Sequence, residues 1–481
     1  METMNTINWA TFEPLLPEML LVCTGLVLIG LDLFAEKTRE LLPWLTVLGS
    51  VTVLGMVIGE RNVSAFGGMF ITDSYAVFFK VICLLSVIMA TLMGEHYRRV
   101  HGLRHGEYYA LMVFAATGML VMASAGDLMV LYLGLELMAL SVYCLVGMNK
   151  REEKSAEAAI KYFLMGVFAS AILLFGMSLV YGLTGSTDIL EIARYTARTG
   201  LTENPALAAA LGLMIAAFCF KVAVAPFHFW TPDVYDGAPT VVTAFMSVGP
   251  KAAGFAVFGR VLISGFPELQ PHWGSLLATL ALLTMAVGNI TALVQTSIKR
   301  MLAYSAIAHA GYSLLGVLSG TADGLSATMS YLFIYGFMNM GAFAILVLLS
   351  SRGAHHESLD DYRGLARKHP LAALLMLIFM FSLTGIPPTA GFIGKFYLLR
   401  AALGAGYTGT VIGAVIFSAI SAYFYLRVVR YMYMSEPEGE LDFSYSPGIS
   451  AVLGLALLGV VGLGLLPGTM IGWAASALLG Q

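Results

Sequence analysis

Long apolar runs separated by short polar connections leave this chain few ways to fold. They cover 15–34, 41–59, 73–94, 108–125, 128–148, 157–184, 206–229, 238–263, 274–294, 300–320, 325–350, 371–399, 408–433 and 449–470. A helix of about 20 apolar residues crosses a hydrocarbon core, so the runs predict an all-α polytopic membrane protein with about fourteen transmembrane helices. Helices suit that setting because each satisfies its own backbone polar groups where no water can. Only 11% of the 481 residues are charged and 58% are hydrophobic, whereas soluble domains run to about 25% charged. The lipid bilayer is therefore an expected partner, and a formal charge of -3 gives no footing for nucleic acid. The opening METMNTINWATFEPLL is acidic, so 15–34 reads as a first span rather than a cleaved signal.

Lysine and arginine placement tests the count. The connections after spans one, three, five, nine, eleven and thirteen carry sixteen Lys/Arg in all, counting Lys299 and Arg300 at a helix start. The opposite side holds five: Arg61, Arg194, Arg198, Arg260 and Arg400. Basic loops face the cytoplasm, which puts both termini on the outer side of the membrane. A wrong count would have mixed the two sides.

Two runs are interrupted. The seventh contains Pro226, and the twelfth contains Gly385, Pro387 and Pro388. Proline removes a backbone donor and tends to break a helix, and a break at membrane depth survives only beside protein or a wet cavity. Lys161-Tyr162 in span six is echoed by Ser330-Tyr331 in span eleven. Both pairs lie five spans apart, and an odd shift reverses the direction of crossing. The expected organisation is thus a three-helix segment (1–106), two inverted five-helix repeats (107–263 and 274–434) with helices 7 and 12 discontinuous, and a last helix (449–470). Inverted repeats built around broken helices are a feature of ion transporters.

Ionisable residues inside the spans are Lys80, Glu136, Lys161, Lys221, Lys251, His309 and Lys395, with His228 and Lys299 nearer the ends. A charge at the bilayer centre costs about 2.5–3.5 kcal/mol or more, so such residues mark ion or proton pathways unless they snorkel or form static pairs. Burial disfavours a charged lysine and a nearby carboxylate favours it. Glu136 and Lys221 are the natural pair for a protonation switch, with Lys251, beside a third potential break at Gly249-Pro250, as the next station. Histidine changes charge near neutral pH, which makes His228 and His309 intermediate steps. Lys80, close to its span's end, is the best candidate for snorkelling. Lys299 reads equally as an anchor beside Arg300, and Asp233 and Asp236 either guard an entry or shape a turn.

Other chemistry is not indicated. Cys23, Cys83, Cys144 and Cys219 are far apart in apolar runs and read as buried small side chains, with no metal or iron–sulfur spacing. Glycine-rich pieces such as GVVGLGLLPG lack the strand–loop–helix context of a nucleotide site.

FKVAVAPFHFWTPDVYDGAP, SIKRMLAYSAIAHAGY and LTGIPPTAGFIGKFY resemble signature segments of the proton-translocating, antiporter-like membrane subunits of respiratory complex I. LYLGLELMALSVYCLVG and EAAIKYFLMG extend the resemblance over essentially the whole chain. It implies fourteen helices with inverted repeats. It also implies a proton path through Glu136, Lys221, Lys251 and Lys395, with Lys161, His228 and Lys299 secondary. Lysine at 395 fits one subunit type, whereas a sister type tends to carry glutamate on that helix. The implied partners are another antiporter-like subunit and small hydrophobic subunits. NADH, FMN, iron–sulfur clusters and quinone are expected elsewhere in the complex, with no cofactor in this chain. Two other readings remain open: a subunit of a multi-subunit cation/proton antiporter or membrane-bound hydrogenase, and a structural membrane scaffold.

Overall fold

A computed structural model describes residues 11–34, 39–60, 62–101, 106–199, 204–350, 356–437 and 445–478. Lys37, Arg61, Arg104 and Arg352 of the charge count, and both chain termini, lie outside the described residues. The fold is helical: α1 (Leu16–Phe34), α2 (Leu42–Ile58), α3 (Ser74–His101), α4 (Glu107–Ala123), α5 (Leu128–Val146), α6 (Glu153–Thr184), α7 (Ile189–Thr196), α8 (Pro205–Lys221), α9 (Trp230–Gly237) and α10 (Thr240–Arg260). After these come α11 (Gln270–Leu293), α12 (Ile298–Leu318), α13 (Ala322–Leu349), α14 (Leu365–Lys368), α15 (Pro370–Thr384), α16 (Ala390–Gly404), α17 (Thr408–Met434), α18 (Pro447–Leu465) and α19 (Pro467–Ser476). A small antiparallel pair, β1 (Ser64–Ala65) and β2 (Phe70–Ile71), closes the α2–α3 connection.

Among the described residues ten helices are long and apolar enough to cross a membrane, and four shorter apolar ones accompany them: α2, α4, α8 and α15. The apolar 157–184 run is one continuous helix, α6. Connections read as plain loops contain the short helices α7 and α14. One expectation fails. The chain does not break at Gly249-Pro250, because α10 runs through Pro250 from Thr240 to Arg260. Losing one donor is survivable where neighbouring helices enclose the site, and every residue of α10 is buried.

Burial sorts the helices into a centre and a rim. The most apolar stretch of α10 is wholly enclosed and those of α12 and α13 are 94% enclosed, while those of α1 and α17 are only 28% enclosed. The exposed faces of the rim are apolar, with Phe168, Ile412 and Leu458 among them, as lipid contact requires. Cys83 and Cys219 are buried as expected, but Cys23 and Cys144 lie on such exposed faces, where a small thiol meets an apolar surface without penalty.

Close helix contact relies on glycine. A Cβ at Gly118 of α4 would lie 2.5 Å from the backbone nitrogen of Met138 and 2.6 Å from the carbonyl oxygen of Gly134, both on α5. Backbone cannot yield as a side-chain tip can. Gly118→Ala is therefore expected to destabilise the packed α4–α5 pair by about 1–3 kcal/mol, read as a lower thermal midpoint of the purified protein.

Candidate functional site

The first interruption begins at Lys221, the last residue of α8, rather than at Pro226. Ala223 takes a left-handed conformation (φ 63°), and the Val224 amide donates back to the Cys219 carbonyl at 2.8 Å. This closure ends a helix in the manner of a Schellman motif. The Trp230 indole donates to the Phe220 carbonyl at 3.0 Å, so a helix-end acceptor is satisfied by an aromatic donor. Lys221 is half-buried and makes no direct hydrogen bond or ion pair among the described residues. Glu136 does not touch it either, although its charge acts on Lys221. The Glu136 carboxylate instead accepts a short hydrogen bond from Ser170 of α6. The sequence-level pairing of Glu136 with Lys221 is thus electrostatic, not a contact.

The second interruption repeats the closure. Gly385 is left-handed (φ 91°), and the Ile386 amide donates to the Phe381 carbonyl at 3.0 Å. Here the helix-end acceptors meet a cation. Lys395, at the start of the next helix, donates from Nζ to the carbonyls of Leu383 and Thr384 at 3.0 and 2.9 Å and to Ser418 Oγ at 3.3 Å. Four carbonyls at a helix C-terminus lack partners inside the helix, and their negative end of the macrodipole favours a cation. Lys395 is buried, not near a surface.

Between these ends runs a buried polar row. Lys251 Nζ donates to the Ala306 carbonyl at 2.5 Å and lies 6.0 Å from the centre of the Tyr335 ring. The Tyr335 ring is 5.0 Å from the imidazole of His309, and the Tyr312 ring 6.0 Å from it. Lys395 Nζ sits 4.8 Å above Tyr312, which completes a line Lys251–Tyr335–His309–Tyr312–Lys395. Both lysine charges reach His309. Its Nδ1 is 2.5 Å from Tyr331 Oη and its Nε2 3.0 Å from Tyr425 Oη, which contacts Ser305 Oγ at 2.5 Å. No direct hydrogen bond joins Lys221 to Lys251, but the helices carrying them touch: a Cβ on Gly254 would meet Val222 at 2.8 Å.

Of the remaining candidates, Lys161, Asp233, Asp236 and Lys299 gather in one place. Asp233 pairs with Lys161 at 3.0 Å and Arg300 at 3.1 Å, while Asp236 lies 3.8 Å from Lys154 and Arg300. The aspartates therefore form an ion-pair hub, not simply a turn. Lys299 is buried, not a solvent anchor: Nζ donates to the Asp236 and Ala238 carbonyls at the end of α9 and pairs with Glu357 at 2.9 Å. His228 stacks on Phe229 with a buried Nδ1 that has no protein partner. Lys80 does not snorkel. It is fully buried between Glu18 at 2.9 Å and Glu60 at 3.0 Å.

The family described as "NADH:quinone oxidoreductase/Mrp antiporter, TM" matches residues 125–421, a span holding every residue of the polar row. The chain belongs to this family. It is 51% identical to NADH-quinone oxidoreductase subunit N of Desulfovibrio desulfuricans, with 96% of each chain covered. With subunit N of Trichlorobacter lovleyi it shares 47%, over 98% of this chain and 97% of the relative. Among solved structures, a chain of respiratory complex I from Thermus thermophilus superposes with a TM-score of 0.81 at 35% identity, covering 96% of this chain and 100% of that one. The Mrp complex from Dietzia gives the same TM-score at 21% identity, with 97% of each chain covered, a likeness of fold alone.

This member of the NADH:quinone oxidoreductase/Mrp antiporter family is a multi-pass membrane protein, and no cluster of three or more His, Cys, Asp or Glu placed to hold a metal occurs among its described residues. Sequence reasoning missed the aromatic part of the row. Tyr312 follows His309 by three positions, and Tyr335 follows Tyr331 by four, spacings that place side chains on one helical face. That signal was available, but which face meets His309 depends on how α12, α13 and α17 dock. Tyr425→Phe removes the hydroxyl shared by His309 and Ser305. The expected loss is about 1–3 kcal/mol of stability, measured as a lowered thermal midpoint, with the helical content unchanged.

Proposed function

We propose that this chain is a proton-translocating membrane-arm subunit of an NADH:quinone oxidoreductase, and that Glu136, Lys221, Lys251, His309 and Lys395 carry the proton. The observation that carries this reading is the buried row from Lys251 through Tyr335, His309 and Tyr312 to Lys395. A static scaffold gains nothing from buried lysines such as Lys251 and Lys395 held by backbone carbonyls with no carboxylate partner. The high identity over nearly full length to subunit N relatives favours this assembly over a cation/proton antiporter, to which the likeness is one of fold.

In this reading the chain crosses fourteen times, with helices 7 and 12 interrupted after Lys221 and Thr384. Support comes from two loop pairings. Leu128 and Ile189 donate to Thr187 and Gly126, and Ile298 and Leu359 donate to Glu357 and Thr296. The second set repeats the first 170 residues on, consistent with repeats 107–263 and 274–434 of opposite direction. The three-helix segment 1–106, the last helix 449–470 and periplasmic termini follow from the same scheme.

A charge change on the quinone side would act first on Glu136. Lys221, with no direct partner, responds by holding or releasing its proton, while Lys251, His309 and Lys395 pass it inward. Buried polar atoms without a protein partner, such as Tyr335 Oη, Ser330 Oγ and Asn339 Oδ1, are of the kind that ordered water satisfies in proteins. Lys161, His228 and Lys299 serve the approach. Glu136 is half-buried and flanked by exposed Leu133, Leu137 and Leu140, so this edge suits a neighbouring membrane-arm subunit, either a sister antiporter-like chain or a small hydrophobic one. NADH, FMN, iron–sulfur clusters and quinone belong to other subunits.

Neutralising Glu136 (E136Q), Lys221 (K221M) or Lys251 (K251M) in the assembled complex is expected to depress proton pumping severalfold, measured as NADH-driven acidification of inverted vesicles alongside quinone reduction. Normal pumping with normal quinone reduction in all three variants would refute the reading.

A further inference from the structure

The proton row leaves one buried ionisable cluster unused. Glu18 enters from α1, Glu60 lies two residues beyond the end of α2, and Lys80 projects from α3. Lys80 Nζ is 2.9 Å from Glu18 Oε1, and 3.0 and 3.1 Å from the two oxygens of Glu60. The Phe70 ring covers the ammonium with its centre at 5.3 Å. Lys80 is 0% exposed, and Glu18 3%. The Glu18 carboxylate makes an ion pair but no hydrogen bond of good geometry.

Charge counting makes this arrangement unusual. One ammonium between two carboxylates sums to -1 if all three ionise, in a site from which water is largely excluded. Like charges sharing a buried site cannot both ionise freely, and an uncompensated buried charge is strongly destabilising. Among the described residues the nearby charges are otherwise paired: Arg260 of α10 forms a two-pronged ion pair with Asp73, both bonds 2.8 Å, and lies over Tyr75, whose hydroxyl donates to the Ala256 carbonyl. Cys83, one turn further along α3, is directed to the Gly249 carbonyl. None of these supplies a second cation to the trio.

We propose that Glu18, Glu60 and Lys80 form a proton-binding site distinct from the Lys221–Lys395 row, in which one proton shared by the two carboxylates keeps the buried trio neutral. On binding, a solvent hydronium gives up its proton as water, an O–H bond forms on one carboxylate, and the net charge of the trio goes from -1 to zero. Lysine occupies the position a metal cation would need, so the ligand is the proton itself. Glu60 is the exchanging member, since it lies at the helix end and the other two are sealed inside. Burial pushes its carboxyl up to about 7, against the opposing pull of Lys80, with Glu18 adding to the rise. The site thus takes up and releases a proton near neutral pH at the bundle end that the loop charges assign to the outer side.

The test is an infrared pH titration of the whole purified complex in lipid. Wild type is expected to show a protonated-carboxyl C=O band that disappears around pH 7. Both Glu60→Gln and Glu18→Gln should remove it, because either leaves a neutral one-to-one pair with Lys80. Absence of the band in wild type, or its survival in either variant, overturns the shared site. Glu60→Asp and Glu18→Asp keep both charges and should shift the band instead of deleting it, which preserves the comparison if an amide variant does not assemble. A second readout follows from linkage. Glu60 holds its proton more tightly folded than unfolded, so its contribution to stability falls as pH climbs from about 4.5 through 7. The thermal midpoint of Glu60→Gln should accordingly fall less over that range than that of wild type, and an identical pH profile would count against the site. Neither measurement depends on turnover, so failure here leaves the pumping reading untouched.

Discussion

A helix that stops inside a membrane exposes carbonyl groups that hydrocarbon cannot satisfy, and much of this structure depends on what meets them. At the end of α15 the donor is the ammonium of Lys395; at the end of α9 it is Lys299; at the end of α11 it is the Arg427 guanidinium, bonded to the Leu293 and Gln295 carbonyls. Lys395 and Arg427 are thereby held by backbone carbonyls rather than by a carboxylate, whereas Lys299 adds an ion pair with Glu357. A lysine bonded to carbonyls keeps no fixed counter-charge, so its charge stays sensitive to whatever changes nearby. Locking it in a salt bridge would remove that sensitivity.

The two interruptions solve the same backbone problem with different chemistry. Both close through a left-handed residue and a bond back across five positions. At the first, an indole takes the Phe220 carbonyl and Lys221 is left without a direct partner. At the second, the lysine itself is the cap. Among the described residues Lys221 therefore has no bonded partner, whereas Lys395 is anchored to two carbonyls and a hydroxyl. His309 sits between two lysines with hydroxyl partners on both ring nitrogens, an arrangement in which a proton can enter at one nitrogen and leave at the other. The enclosure of α10, α12 and α13 keeps this row away from lipid, and the rim helices supply the lipid-facing surface.

Several features were legible in the residues alone. Apolar runs located the helices because a membrane span has a fixed minimum length. Ionisable residues stood out because hydrocarbon makes each one costly. Pro250 misled, since a proline can sit within a helix wholly enclosed by its neighbours. Lys80 misled for a related reason. Nearness to a span's end suggested a reach to water, whereas carboxylates from α1 and from just beyond α2 made burial tolerable.

What the sequence determined by itself is the class of fold, the approximate places of the helices and which ionisable residues fall within the apolar runs, all consequences of one-dimensional spacing against a bilayer of set thickness. Partnership was decided only by tertiary structure. Whether Lys80 meets Glu18 and Glu60, whether Glu136 bonds Ser170 or Lys221, and which tyrosines flank His309 depend on how helices remote in sequence rotate against one another. Those rotations are fixed by close packing at positions such as Gly118 and Gly254, and no periodicity within a single helix records them.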